Sequence, residues 1–129
     1  KRKIDKKMNV IIDVPPGTSC PVIESITGSD YCILVTEPTP FGLHDLKLAV
    51  EVVRHIGIPF GVVINRDGIG DNRVEVYCKK ERFPILLKIP ERQKIALLYS
   101  KGIALANESH DWKEMFGLVF NRIQEDIKK

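Results

Sequence analysis

A chain of 129 residues is long enough for one domain with a real apolar core and short for two. Apolar residues make up 43% and charged residues 29%, which excludes a disordered chain, and no repeat or low-complexity tract competes with a core. The net charge of +3 gathers at the ends, in Lys1, Arg2, Lys3, Lys6 and Lys7 and in Lys128 and Lys129. Without interleaved aromatic or glycine residues, this pattern reads as a solvated tail over 1–8 and not as a nucleic-acid groove.

The first element is Val10-Ile11-Ile12, a short β-branched run ending at Asp13, after which Pro15-Pro16-Gly17 forces the chain to turn. A short helix is predicted from Pro21 to Thr27, with Ser19 as its cap and Gly28-Ser29-Asp30 as its break. Tyr31 to Thr36 is almost continuously apolar, as in a strand buried on both faces, and Glu37-Pro38-Thr39-Pro40 ends it. Leu46, Ala49, Val50, Val53 and Ile56 then share one face at helical spacing, with Gly57 as a left-handed stop.

Ile58 to Ile64 is a second buried strand with Asn65-Arg66-Asp67-Gly68 as its exit loop. Asn72 and Glu75 suggest a capping box for a helix to Lys80, and Pro84 to Ile89 gives a further strand. Pro90 is placed to open a helix carrying Ile95 and Leu98 inward and stopping at Gly102. The longest helix is predicted over Ser109 to Ile127, where Trp112, Phe116, Val119, Ile123 and Ile127 line one stripe.

This alternation predicts an α/β domain over 9–129, a three-layer, mostly parallel sheet with helices on both faces. Ligands of such sheets gather at the carboxyl ends of the strands, where Asp13, Glu37 and Asn65 stand. A carboxylate at Asp13 can hold a magnesium ion while the Gly17 amide approaches a terminal phosphate, or it can accept turn hydrogen bonds before the prolines. The Asn65 amide can read the two-sided edge of an adenine or close an Asx turn, and Arg66 can stack on a base or pair with an acid. Glu37 fits ligand contact or a plain solvent-facing strand end.

Cys20, Cys32 and Cys78 are odd in number and lack a CxxC pair, which speaks against a disulfide framework or a self-contained zinc site and for a reducing compartment. Cys20 is expected in an exposed loop and Cys32 in the core. His44, His55 and His110 have no metal-ligand spacing. No apolar stretch is long enough to span a bilayer, and a cytoplasmic location is expected.

Three linked blocks, Val10-Ile11-Ile12-Asp13-Val14-Pro15-Pro16-Gly17-Thr18-Ser19-Cys20-Pro21, Thr36-Glu37-Pro38-Thr39-Pro40-Phe41-Gly42-Leu43-His44-Asp45-Leu46 and Ile64-Asn65-Arg66, resemble one group. It is the deviant-Walker P-loop ATPases of the MinD/ParA and nitrogenase-iron-protein class, especially MinD-like members with an inserted ferredoxin domain. The resemblance implies that Asp13 is a Walker B-type acid near magnesium and that Pro15, Pro16 and Gly17 form the switch sensing the terminal phosphate. It also implies that Asn65 and Arg66 border the adenine, that Pro90 and Glu91 pass the base again, and that Cys20 corresponds in placement to an iron-sulfur ligand.

No GxxxxGK[ST] or lysine-rich glycine loop occurs in the sequence. The expectation is therefore a C-terminal portion of a P-loop NTPase-like domain whose phosphate loop lies upstream. The parent would be a magnesium-dependent, homodimeric ATP switch, with an iron-sulfur cluster in its upstream region and a redox or metal-cluster protein as partner. The chain alone is expected to hold no tightly bound cofactor and to be a poor ATPase. The alternative is a non-catalytic α/β interaction module that never had a phosphate loop.

The resemblance further implies that the phosphate-loop strand belongs between Val10–Asp13 and Tyr31–Thr36. Without it, the first strand is expected to close directly onto Tyr31–Thr36 or to exchange between two molecules.

Overall fold

The computed structural model describes residues 8–129, so the basic residues 1–7 of the expected tail lie outside the described residues. Three strands, β1 (Cys32–Thr36), β2 (Phe60–Asp67) and β3 (Ile85–Pro90), form one parallel sheet in the order β1-β2-β3. Six helices accompany them among the described residues: α1 (Cys20–Ile26), α2 (Pro40–Ile56), α3 (Arg73–Glu81), α4 (Gln93–Ser100), α5 (Leu105–Glu108) and α6 (His110–Lys128).

Alternation along β2 builds the layers, because successive strand side chains enter opposite faces. Val62 and Ile64 meet Leu46 and Val50 of α2 and Val74 and Cys78 of α3. Val63, with Leu87 and Ile89 of β3, meets Ile95 of α4 and Leu105 of α5, and Trp112 and Val119 of α6 pack over this cluster. Ile26 of α1 closes a third cluster against Val53 and Ile58. The α/β class and the helices on both faces are as the apolar periodicity predicts.

The strand expected at Val10–Ile12 is absent: the segment joins no ladder, and the sheet ends at β1. Direct closure onto Tyr31–Thr36 is likewise overturned, because a cleft of about 1380 Å³ separates the two. Three β-branched residues offer too few backbone hydrogen bonds to hold a strand without an adjacent partner.

Other boundaries shift for local reasons. β2 runs on to Asp67, taking in Asn65 and Arg66, which were expected in a loop. The register passes from Ile64↔Lys88 to Asp67↔Pro90, so two residues of β2 face one of β3, and Arg66 takes the left-handed conformation (φ 53). This is a β-bulge, which re-aims a side chain at a strand end.

Pro90 closes β3 instead of opening α4, whose N-cap is Arg92. The capping box at Asn72 and Glu75 does not form. Asp71 Oδ1 accepts the Arg73 N–H at 2.9 Å, and Glu75 accepts from Lys88 Nζ at 2.7 Å. Ser19 does stand at the N-cap of α1, but its side chain makes no capping bond. The short helix α5 has no signal of its own in the sequence pattern.

Tyr31, just before β1, donates its hydroxyl to Asp126 Oδ2 near the end of α6 at 3.4 Å. Burial, and then the Asp126 carboxylate, push the Tyr31 phenol up to about 12 from 10.0. A folded-state value above the unfolded one means that this contribution is present below pH 10 and is lost as pH rises through about 12. Absorbance titration of Asp126→Asn is expected to bring the midpoint back part of the way, since burial, the larger cause, remains. A midpoint unchanged by the substitution would count against the contact.

Candidate functional site

The expected site residues fall into two groups that share Glu37. Asp13, Pro15, Pro16 and Gly17 line the cleft beside β1, as does Glu37 at the end of β1. Asp13 is exposed, and Gly17 has a φ of 113, a conformation in which a side chain would be strained.

The second group sits at the carboxyl ends of all three strands. Arg66, turned by the bulge, reaches Glu37 of the β1 exit at 3.6 Å and Glu91 just past β3 at 3.0 Å. These two acids, Glu91 first, raise the Arg66 guanidinium further above its ordinary value. Asn65 Oδ1 accepts the Arg66 backbone N–H at 3.0 Å, which holds the bulge and is not the Asx turn into Asp67-Gly68. The Glu91 N–H donates to the Asp67 carbonyl at 2.8 Å, tying the two strand ends together beside Pro90. The structure thus brings Glu37, Asn65, Arg66, Pro90 and Glu91 into one rim.

A second ion-pair chain runs beside it, unremarked in the sequence pattern. Lys88 Nζ lies 3.3 Å from Asp67 and 2.7 Å from Glu75, which raise its basicity, Glu75 first. Asp67 follows the bulge and Lys88 precedes it by register, so only the ladder could have paired them.

Two glycines set the spacing of the rim, and neither carries a motif. Gly42, in the first turn of α2, lies so close to Glu37 that a Cβ would collide with the Glu37 carbonyl. Its N–H donates to Thr39 Oγ1 at 3.0 Å and its carbonyl accepts from Thr36 Oγ1 at 2.8 Å. Gly70, after β2, is pressed in the same way onto the Pro38 carbonyl.

Cys20 is exposed, as expected, but it opens α1 and does not lie in a loop, and Cys78 is buried, where burial pushes its thiol up to about 11. Cys32 is half-buried and its thiol is raised by burial as well. Among the described residues no three His, Cys, Asp or Glu converge to hold a metal ion, and no helix is long and apolar enough to cross a membrane. His44, His55 and His110 are all exposed on helices.

No family profile matches the chain. An uncharacterized protein of Methanocaldococcus jannaschii is 40% identical over 86 residues, covering 57% of this chain and 32% of that protein. The iron-sulfur cluster carrier protein of the same organism is 26% identical over 135 residues, covering 92% of this chain and 47% of that protein. In structure, the chain is similar to the cell division ATPase MinD of Pyrococcus furiosus, with a TM-score of 0.65, 26% identity, and coverage of 89% of this chain and 50% of that one. The chain spans less than half the length of the curated relatives it matches. These likenesses support a MinD/ParA-like relationship, with an α/β architecture resembling a P-loop NTPase.

Proposed function

We propose that the chain is the base-side, C-terminal portion of a MinD-like, magnesium-dependent ATP switch whose phosphate-gripping loop is supplied by polypeptide outside these residues. The observation that carries this reading is the rim itself: Glu37, Arg66 and Glu91 come from the carboxyl ends of three adjacent parallel strands. That is where nucleotides bind in open α/β sheets. In this reading Asn65 and Arg66 border the adenine, Pro90 and Glu91 pass it on the far side, and Pro15 to Gly17 form the phosphate-sensing switch.

The residues fit the nucleotide only in part. Asp13 is one exposed carboxylate without an ion-pair partner among the described residues, which suits magnesium held largely by phosphate and water. When bound, magnesium would neutralise charge on the transferred phosphoryl group. No backbone cradle for the phosphates is present in the sequence. Dimerisation of the whole protein and coupling to an iron-sulfur cluster, with Cys20 as a ligand, are extensions of the same reading, supported by the likeness to the cluster carrier.

Calorimetric titration of the chain is expected to show weak binding of Mg-ATP, with Kd above about 0.1 mM, and hydrolysis at background. Tight magnesium-dependent binding to the pure chain, or turnover abolished by Asp13→Asn, would overturn the assignment.

The self-satisfied pairing of Arg66 favours a second reading, a non-catalytic α/β module, because an arginine held by two acids needs no ligand. Arg66→Ala separates the two. Loss of the residual Mg-ATP signal supports the nucleotide reading, and an unchanged signal supports the module.

A further inference from the structure

The bulge at the end of β2 decides which of two oppositely charged neighbours shares a face with Lys88. Val62 and Ile64 pack toward α2 and α3, and Val63 packs toward α4 and α5. On β3, Leu87 and Ile89 also pack toward α4 and α5, so Lys88 between them faces the other way, where its Nζ meets Glu75 of α3 at 2.7 Å. The register sets Lys88 opposite Ile64, on the same face.

Beyond Ile64 the strand has two ways to run. Without an extra residue, strict alternation puts Arg66, two positions on, on the face that holds Lys88 and turns Asp67 away from it. Two like charges would then share one side of the ladder between β2 and β3, a destabilising arrangement. With the extra residue the count inverts. Asp67 stands opposite Pro90 and lies 3.3 Å from Lys88 Nζ, while Arg66 takes its left-handed turn (φ 53) and leaves for Glu37 and Glu91.

A left-handed conformation is uncommon outside glycine, so the bulge needs interactions that offset it. Asn65 Oδ1 on the Arg66 N–H at 3.0 Å and the Asp67 carbonyl on the Glu91 N–H at 2.8 Å are two of them. Neither depends on which charge comes to the α3 face. Lys88 does depend on it, because it attracts the residue that the bulge brings in and repels the one that the bulge sends out.

We infer that Lys88 is a positioning residue of the rim: anchored by Glu75, its charge holds Asp67 on the α3 face and so keeps the bulge that aims Arg66 at Glu37 and Glu91. Lys88 pairs with Asp67 and Glu75 and with neither acid of the rim, so it acts on the rim only through the ladder. What the rim holds rests on the nucleotide reading above, whereas the aim of Arg66 is measured without a ligand.

Nuclear magnetic resonance of the 129-residue chain tests this. A positive φ brings an amide proton close to its own Hα, so Arg66 is expected to give a strong intraresidue cross-peak in the unaltered chain. In Lys88→Met that cross-peak is expected to be lost, and the Glu91 amide to exchange at least about tenfold faster. Lys88→Arg, which keeps the charge, is expected to retain both. Arg54→Met breaks another exposed pair on α3, Arg54 with Glu81 at 3.1 Å, and is expected to leave both unchanged. An unaltered Arg66 cross-peak in Lys88→Met overturns the inference, as does equal loss in Arg54→Met or in Lys88→Arg. Should Lys88→Met fail to fold by circular dichroism, Asp67→Leu applies the same test from the other end of the pair, and an unaltered cross-peak in that folded variant overturns it. A lost cross-peak with an unchanged Mg-ATP titration supports the positioning role and counts against the nucleotide reading alone.

Discussion

Ile64→Ala is expected to destabilise the chain by about 2–5 kcal/mol, among the largest effects of any single truncation. Ile64 is 0% exposed and lies at the centre of the cluster where Leu46 and Val50 of α2 meet Val74 and Cys78 of α3. Its backbone holds the last regular register pair with Lys88 before the bulge. Removing three side-chain carbons there loses their burial and leaves a void that two helices and a strand cannot close together. Urea unfolding followed by circular dichroism measures the loss. A change below about 1 kcal/mol would show that the cluster repacks freely. Ile11→Ala is the matched comparison: its side chain is 93% exposed, and the expected change is within about 0.5 kcal/mol.

Gly70→Ala is expected to cost about 1–3 kcal/mol and to loosen the rim of the candidate site. The added Cβ would fall on the Pro38 carbonyl, which is backbone and cannot rotate aside. Pro38 is buried and adjoins Glu37, and Gly70 follows the bulge that presents Arg66, so separating the two loops separates an ion pair now at 3.6 Å. Because Arg66 also reaches Glu91 at 3.0 Å, that second pair should survive. Gly117→Ala, the same chemical change in α6 with nothing within 4 Å of the new carbon, is expected to stabilise by about 0.5–1 kcal/mol. Opposite signs in thermal unfolding would isolate the collision from the general preference of helices for alanine, and a neutral Gly70→Ala would show that the exit loops move independently.

The fold class lay close to the surface of the sequence. Three apolar runs became the three strands, and the helical stripe of Leu46, Val50 and Val53 became the buried face of α2, with Gly57 ending it in the left-handed conformation (φ 80). These are short-range matters of periodicity and steric punctuation, which act wherever the chain lies. Val10–Ile12 has the same β-branched character, but a strand exists only with a neighbour to bond, and its composition is silent about the cleft that parts it from β1.

The candidate site divides in the same way. Glu37, Asn65, Arg66, Pro90 and Glu91 stand out individually from their places after apolar runs. That Arg66 joins Glu37 to Glu91 depends on the parallel order of β1, β2 and β3 and on a bulge that turns Arg66 to a φ of 53. Gly42 and Gly70 look like ordinary loop and helix residues until the exit loops are packed together and leave no room for a Cβ. Local sequence therefore determined which segments would be strands and helices and which polar residues would end them. Tertiary structure alone decided which strand ends met, which glycines were obligatory and which sheet edge remained open, because each depends on what lies across space from residues distant in the chain.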